Sequence, residues 1–142
     1  MADAFADMLI GILDDAQWRE TVSYVPSGDV EKNRVEDVNV LVRRDEPAIQ
    51  NQDVKGKFTD HKFTLKVLKT VHATHKGIVS PAIGDTWKLP VSRQVDGEDP
   101  EDGTYLDGWK AGAPRAARGH WLIPVTLRVY ETSGGKRMGG AG

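Results

Sequence analysis

The sequence predicts a mainly β protein: a small antiparallel barrel or sandwich with long loops, preceded by one N-terminal helix. Apolar residues recur at three- and four-residue spacings near the N-terminus and at two-residue spacings in several later segments. Turn-forming residues separate those segments. The 142 residues, 39% hydrophobic and 28% charged, suit one domain with one modest core. We therefore expect a single β-rich domain over 1–131, with the helix packed on an open end or face, and a flexible glycine-rich tail over 132–142.

The first predicted element is an amphipathic helix over residues 3–17. Asp3 suits its N-cap, whereas Asp14 and Asp15 oppose the negative end of the helix dipole, so the helix should end near them. Ile10 falls on the polar face, where it is either a single exposed residue or part of a second contact surface. One stripe of the helix carries six apolar side chains, namely Phe5, Met8, Leu9, Ile12, Leu13 and Ala16.

Alternation with a period of two then predicts a series of strands. The last strand is the clearest, because five apolar side chains of alternate residues share one face. Pro124 interrupts it and lacks an amide hydrogen, so this strand should lie at a sheet edge, or the nitrogen should point out of the ladder. The predicted strands cover residues 21–24, 37–42, 62–67, 86–89 and 120–131.

Two polar stretches, 43–60 and 92–119, have no sustained period and are predicted to be long loops. Loops of this length are often functional, so binding is expected there. The second stretch has an acidic limb followed by a basic limb, an arrangement suited to docking head to tail on a neighbouring copy. The alternative is that both limbs are simply solvated. The candidate contact residues are Asp99, Glu101, Asp102, Trp109, Lys110, Arg115 and Arg118.

The tail offers a second candidate contact. Lys136 and Arg137 could face DNA there, although a merely solubilising tail explains the same composition. The segment Gly134-Gly135-Lys136 lacks the hydroxyl residue, the earlier glycine and the following helix of a phosphate loop.

Composition excludes several classes of chemistry. The absence of cysteine excludes disulfides, thiolate nucleophiles and cysteine-based metal sites. A net charge of −2 provides no global field for phosphate backbones. No apolar run reaches the roughly 18 residues that span a bilayer, and the N-terminus lacks signal-peptide features, so we expect a soluble, unprocessed protein without membrane contact.

The histidines and carboxylates do not predict a metal or catalytic site. His72 and His75 have a spacing that would bind zinc on a helix, with His61 and His120 as further ligands, but the local pattern is not helical and we expect solvated histidines. The acidic run over 96–107 does not fit a calcium loop. We therefore predict no catalytic residue, no cofactor and no metal, and a binding or structural protein instead of an enzyme.

The order of these parts resembles that of a known family. A helix around 5–13 leads into Glu20-Thr21-Val22-Ser23-Tyr24-Val25-Pro26 and a second strand over 38–42, and later come Gly84-Asp85-Thr86-Trp87 and Trp121-Leu122-Ile123-Pro124-Val125-Thr126. In this the chain resembles the head-completion, or head-tail joining, proteins of tailed phages, also called stoppers.

The resemblance implies a non-enzymatic, β-barrel-like virion protein, made in the host cytoplasm and located in the neck. It would form a homo-oligomeric ring that closes the DNA channel, with a portal or adaptor protein on the head side and a tail tube or tail terminator on the tail side. Non-specific contact with packaged DNA is part of this expectation. A tail-terminator or tail-completion role in the same class is the first alternative.

Two alternatives come from other classes. Small barrels often bind single-stranded nucleic acid through aromatic side chains and a basic groove, and Trp109 is the tryptophan predicted to be free for this. A small hydrolase with a histidine-based metal site is the other alternative.

Overall fold

The computed structural model describes residues 4–15, 17–29, 33–44, 46–70, 75–93 and 105–131, with the side chains of 4–6 left out. The predicted tail therefore lies outside the described residues. The elements are α1 (Ala4–Leu13), β1 (Glu20–Val25), β2 (Val35–Arg43), β3 (Ile49–Asp53), β4 (Gly56–Leu68), β5 (Thr86–Pro90), β6 (Tyr105–Ala111), β7 (Arg115–Ala116) and β8 (His120–Tyr130).

The strands form one antiparallel sheet that closes on itself as an uneven ring. Hydrogen bonds run in the order β4, β2, β1, β5, β6 and β8, and β8 returns to β4. The β4–β8 ladder is unbroken from Phe58 opposite Tyr130 to Leu68 opposite His120. The β2–β4 and β6–β8 ladders are much shorter, while β3 and β7 are appended to β4 and β8. The predicted mainly β fold with one N-terminal helix is confirmed.

The interior of the ring is packed with aromatic side chains. Trp87 and Trp109 lie opposite each other on β5 and β6 and are both fully buried. Tyr24 stacks on Trp87 with ring centroids 4.7 Å apart, and Phe63 stacks on Trp109 at 4.6 Å. Such offset pairs add to the stabilisation from burial alone. The predicted inward positions that are confirmed as buried are Val38, Val40, Phe63, Leu65, Val67, Trp87 and Leu89.

The helix is shorter than predicted and is rotated about its axis. Leu9 and Leu13 are buried, as expected, and pack with Leu68 on the outer side of the sheet. Met8 and Ile12, predicted to share that stripe, are exposed, whereas Ile10 packs against the buried cluster. The predicted stripe is wrong because the prediction assumed that a wide apolar face of the helix is buried, whereas the helix covers only a narrow patch of the sheet. The side chains of Phe5 and Ala16 lie outside the described part.

The prediction of a loop over 43–60 is wrong, since this region forms the hairpin of β3 and β4. Ile49 lies opposite Asp60 and Asp53 opposite Gly56, whose φ of 122° closes the tight turn that a side chain would strain. The residues of β3 are mostly exposed. With water on both sides of the strand, no apolar alternation is required, and the sequence gives no period-two signal.

The prediction of one loop over 92–119 is also wrong where the structure describes it, because β6 and β7 lie within it. From Trp87 to Leu89 on β5, the partners on β6 run from Trp109 to Leu106, so β6 carries one extra residue. Gly108, at φ 91°, lies within this bulge. The extra residue breaks the two-residue period and hides the strand from sequence reasoning.

The final strand is not an edge strand, because β4 pairs along one side of it and β6 and β7 pair along the other. The second form of the prediction for Pro124 holds. Its carbonyl accepts a hydrogen bond from the Gly112 amide at 2.8 Å, and in an extended strand the nitrogen of the same residue points to that same side. The missing donor therefore falls between the end of β6 and the start of β7, where no ladder needs it.

The segment after β4 is hydrogen-bonded to the end of β4 and to the start of β8. Ile78 donates its amide to the Leu68 carbonyl at 2.9 Å, and the Trp121 indole donates to the Ile78 carbonyl at 2.8 Å. A Cβ on Gly77 would lie 2.0 Å from the backbone oxygen of Thr70. Only glycine permits this close passage of two backbone segments.

Candidate functional site

A polar groove lies on the outer wall of the ring, where β2, β4, β8 and β7 meet. Phe63 and Leu65 point into the core, so alternation directs Lys62 and Thr64 outward. The groove has a volume of about 520 Å³. Its polar lining consists of Arg43, Glu46, Lys62, Thr64 and Arg115.

The register of the strands brings these side chains together. Arg43 lies opposite Thr64 across the β2–β4 ladder, and Arg115 lies opposite Leu122 across the β7–β8 ladder. Leu122 and Pro124 supply an aliphatic floor, with Ala113 beside them. The cations therefore come from three strands that are far apart in sequence, and none of the described lining residues is aromatic.

The electrostatics of the groove favour an anionic ligand. Among the described lining residues, three side chains are cationic and one, that of Glu46, is a carboxylate. The Glu46 carboxylate is 3.7 Å from the Lys62 ammonium, and both side chains are 55% exposed. Such an exposed pair is worth little, so Lys62 remains available to a better-placed anion.

A buried ion pair fixes the strand end beside the groove. Glu20 is only 2% exposed, and the Arg44 guanidinium donates to both of its carboxylate oxygens at 2.6 and 2.7 Å. Arg44 also donates to the Pro90 carbonyl at 2.9 Å and lies over the Phe63 ring, 5.0 Å from its centroid. Because Arg44 is anchored inward, the preceding Arg43 is held on the outer wall.

A second cluster of charges stiffens the β3–β4 arm, which we define as residues 49–60 and residues 128–130 of β8. Arg128 donates to both carboxylate oxygens of Asp60 at 2.8 and 2.9 Å and covers the Phe58 ring. Tyr130 donates its hydroxyl to Asp53 at 2.7 Å. The hydrogen bond from Arg128 is the main cause that lowers the pKa of Asp60 below its ordinary value. The hydrogen bond from Tyr130 is the main cause that lowers the pKa of Asp53.

The predicted contact residues divide into several groups. Trp109 is fully buried in the core, so the prediction that it is free for contact is wrong; Trp18 is instead the exposed tryptophan, at 49%. Lys110 on β6, Arg115 on β7 and Arg118 are exposed, but they do not share one loop as predicted. Only Arg115 lines the groove. Asp99, Glu101, Asp102, Lys136 and Arg137 lie outside the described residues.

Sequence reasoning missed Arg43, Glu46 and Lys62. The available signal was the outward face of β4, where polar residues alternate with core residues. That alternation indicates a solvent-exposed face of β4. It does not indicate which other strands place cations beside this face, because local sequence does not specify strand order.

The prediction of solvated histidines is wrong for His75, which is 4% exposed. Its Nε2 lies 2.7 Å from an Asp14 carboxylate oxygen, and its Nδ1 lies 2.9 Å from the Asn39 amide nitrogen. Because that nitrogen only donates, Nδ1 accepts and Nε2 donates to Asp14. His75 therefore ties the helix end to β2. His72 lies outside the described residues, within which no group of three or more histidines and carboxylates is placed to hold a metal ion.

Comparison of the chain with protein-family models, with curated proteins and with solved structures gave no match. Among the described residues, no helix is long and apolar enough to cross a membrane.

Proposed function

We propose that this chain is a structural, non-catalytic subunit of a tailed-phage neck that assembles as a ring between head and tail and closes the DNA channel. The observation that carries the proposal is a pair of separate apolar surfaces. Met8 and Ile12 are exposed on the helix, which packs at Leu68, the last residue of β4. Ile49 and Val54 are exposed on the β3–β4 arm, at the first residues of β4.

These two surfaces are suited to a head-to-tail interface. At about 3.3 Å per residue, the ends of β4 lie roughly 40 Å apart. A ring built by rotation needs two different complementary surfaces on each subunit, whereas a two-fold dimer needs only one. Exposed apolar side chains at both ends of the longest strand supply such a pair, and the charged cluster of the arm holds one of them rigid.

The order of the elements also supports the proposal. An N-terminal helix, a closed antiparallel ring and a long last strand follow the order of parts on which the resemblance to head-tail joining proteins rests. The partners in this proposal are a portal or adaptor protein on the head side and a tail tube or tail terminator on the tail side. A tail-terminator or tail-completion role would use the same surfaces.

The test is the mass of the full chain alone and mixed with purified candidate portal or adaptor rings, measured by native mass spectrometry. We expect a defined ring on at least one of these partners. Val54→Asp should abolish it, whereas Val79→Asp, which alters another exposed valine outside both surfaces, should not. A chain that stays monomeric and ignores every ring would refute the proposal.

The basic groove is the specific observation that favours the second candidate, a single-stranded nucleic-acid-binding barrel. Such proteins combine a basic groove with aromatic side chains on which bases stack, and the described lining of this groove holds no aromatic side chain. Oligonucleotide binding at low salt that is lost in Lys62→Glu would favour this candidate over the neck protein.

A further inference from the structure

The groove on the outer wall is suited to an extended anionic ligand. It is open to solvent, its cations come from three strands, and its floor is aliphatic. Arg43 and Arg115 approach from the β2 and β7 sides, with Lys62 between the two strands on β4. A peptide carrying several carboxylates suits this arrangement, since guanidinium groups bind carboxylates through paired hydrogen bonds.

The chain itself contains such a peptide. Residues 96–102 hold five carboxylates in seven positions, namely Asp96, Glu98, Asp99, Glu101 and Asp102. This acidic run connects β5 to β6, whose facing ends are Pro90 and Tyr105. Both ends of the connection are therefore fixed at one end of the ring.

We propose that the groove binds the acidic run 96–102 of a neighbouring copy, and that this contact links successive subunits. The inference rests on the proposed function, because it assigns the side-to-side contact of the ring. The described end from which a copy's own run leaves the fold is distant from that copy's groove. Its anchor at Tyr105 lies six residues from Ala111 along β6, roughly 20 Å, and Ala111 is next to the Gly112 that bonds Pro124 of the groove floor.

The observations favour this occupant over nucleic acid. Base stacking needs aromatic platforms, and the part of the groove lining that the structure describes has none. Glu46 on the rim would repel a continuous row of phosphates, whereas carboxylates spaced along a peptide can avoid it. The net charge of −2 provides no long-range attraction for DNA but is compatible with a local pairing between copies.

The test uses two charge-reversed versions of the full chain. The groove variant carries Lys62→Glu and Arg115→Glu, and the run variant carries Asp96→Lys, Glu98→Lys, Asp99→Lys and Asp102→Lys, which change the charge of the run from −5 to +3. Each alone presents like charges at the contact, so its self-association constant at low salt, measured by sedimentation velocity, should fall at least tenfold. Mixing the two variants should restore association, because each now complements the other. Added salt should weaken both the wild-type and the mixed association.

A matched control carries Lys76→Glu and Lys88→Glu, the same charge change as the groove variant at exposed positions outside the groove and outside both apolar surfaces, and should associate as the wild type does. Rings that persist in both reversed variants would overturn the inference and leave the proposed function standing. A wild-type chain that forms no assembly, alone or on partner rings, would overturn both. Failure of the mixture to associate would overturn the contact between copies, as would oligonucleotide binding that depends on Lys62 without any effect on assembly.

Discussion

The buried ion pair between Glu20 and Arg44 offers the sharpest test of the packing. Arg44→Met would leave the Glu20 carboxylate 2% exposed without the two hydrogen bonds that it now accepts at 2.6 and 2.7 Å. An isolated buried charge of this kind costs about 3–5 kcal/mol. Since small domains have total stabilities of about 5–15 kcal/mol, the loss is a large share of the free energy of unfolding.

Removing the charge of Glu20 instead of that of Arg44 should lower the free energy of unfolding by less. In Glu20→Gln the guanidinium keeps the Pro90 carbonyl, and its side chain is 17% exposed, so water can replace part of the lost partner. We expect a loss of about 1–3 kcal/mol. The double variant Glu20→Gln with Arg44→Met should be more stable than Arg44→Met alone, because neither of the two positions then carries a charge.

Urea unfolding, followed by the fluorescence of the buried tryptophans, measures all three variants. Lys88→Met, at an exposed position on β5, is the matched control and should change stability by no more than about 0.5 kcal/mol. If Arg44→Met costs less than about 1 kcal/mol, the carboxylate has found solvent or another partner, and the reasoning from burial is wrong. A double variant whose loss equals the sum of the single losses would also refute it, because coupled residues are not additive.

Three further predictions follow from the fold. Leu13→Ala should cost about 2–5 kcal/mol, whereas Met8→Ala should change the free energy of unfolding by no more than about 0.5 kcal/mol; equal losses in urea unfolding would contradict the helix orientation. Gly77→Ala should cost about 1–3 kcal/mol because its Cβ meets backbone, while Gly11→Ala, with nothing within 4 Å, should not destabilise; an unchanged Tm for Gly77→Ala would contradict the close passage. The arm carboxylates have folded pKa values below the ordinary 3.8, so their stabilisation is present above about pH 4 and is lost as the pH falls through the lower folded values. The stability difference between wild type and Arg128→Gln, measured in urea at several pH values, should therefore shrink as the pH falls from about 5 to about 2, and a constant difference would refute that origin.

Where a strand has one face in the core and the other in water, the sequence predicted it well. The alternation at Phe63, Leu65 and Val67 identified β4, and that at Trp87 and Leu89 identified β5. These residues face the core, whereas Thr64, Lys66 and Lys88 between them face outward, which is the condition that produces a period of two.

The prediction failed where that condition fails. Ile49 belongs to a strand with water on both sides, so β3 has no alternation. In β6 the bulge at Gly108 shifts the period and conceals the fact that Trp109 lies in the core. The groove was missed for a different reason: Arg43, Lys62 and Arg115 meet only through strand pairing, which local sequence does not specify.

The unbroken β4–β8 ladder has a consequence for the order of folding. It joins segments such as Asp60 and Arg128 that are 68 residues apart in sequence, and β8 also supplies the pairing partner for β6 and β7. During synthesis the ring cannot close until β8 has left the ribosome, so one long edge of β4 stays unpaired until nearly the whole described chain has been made. Closure through such distant segments is slow, and an open edge invites pairing with other chains. Chains truncated before His120 should therefore aggregate instead of folding to a smaller domain.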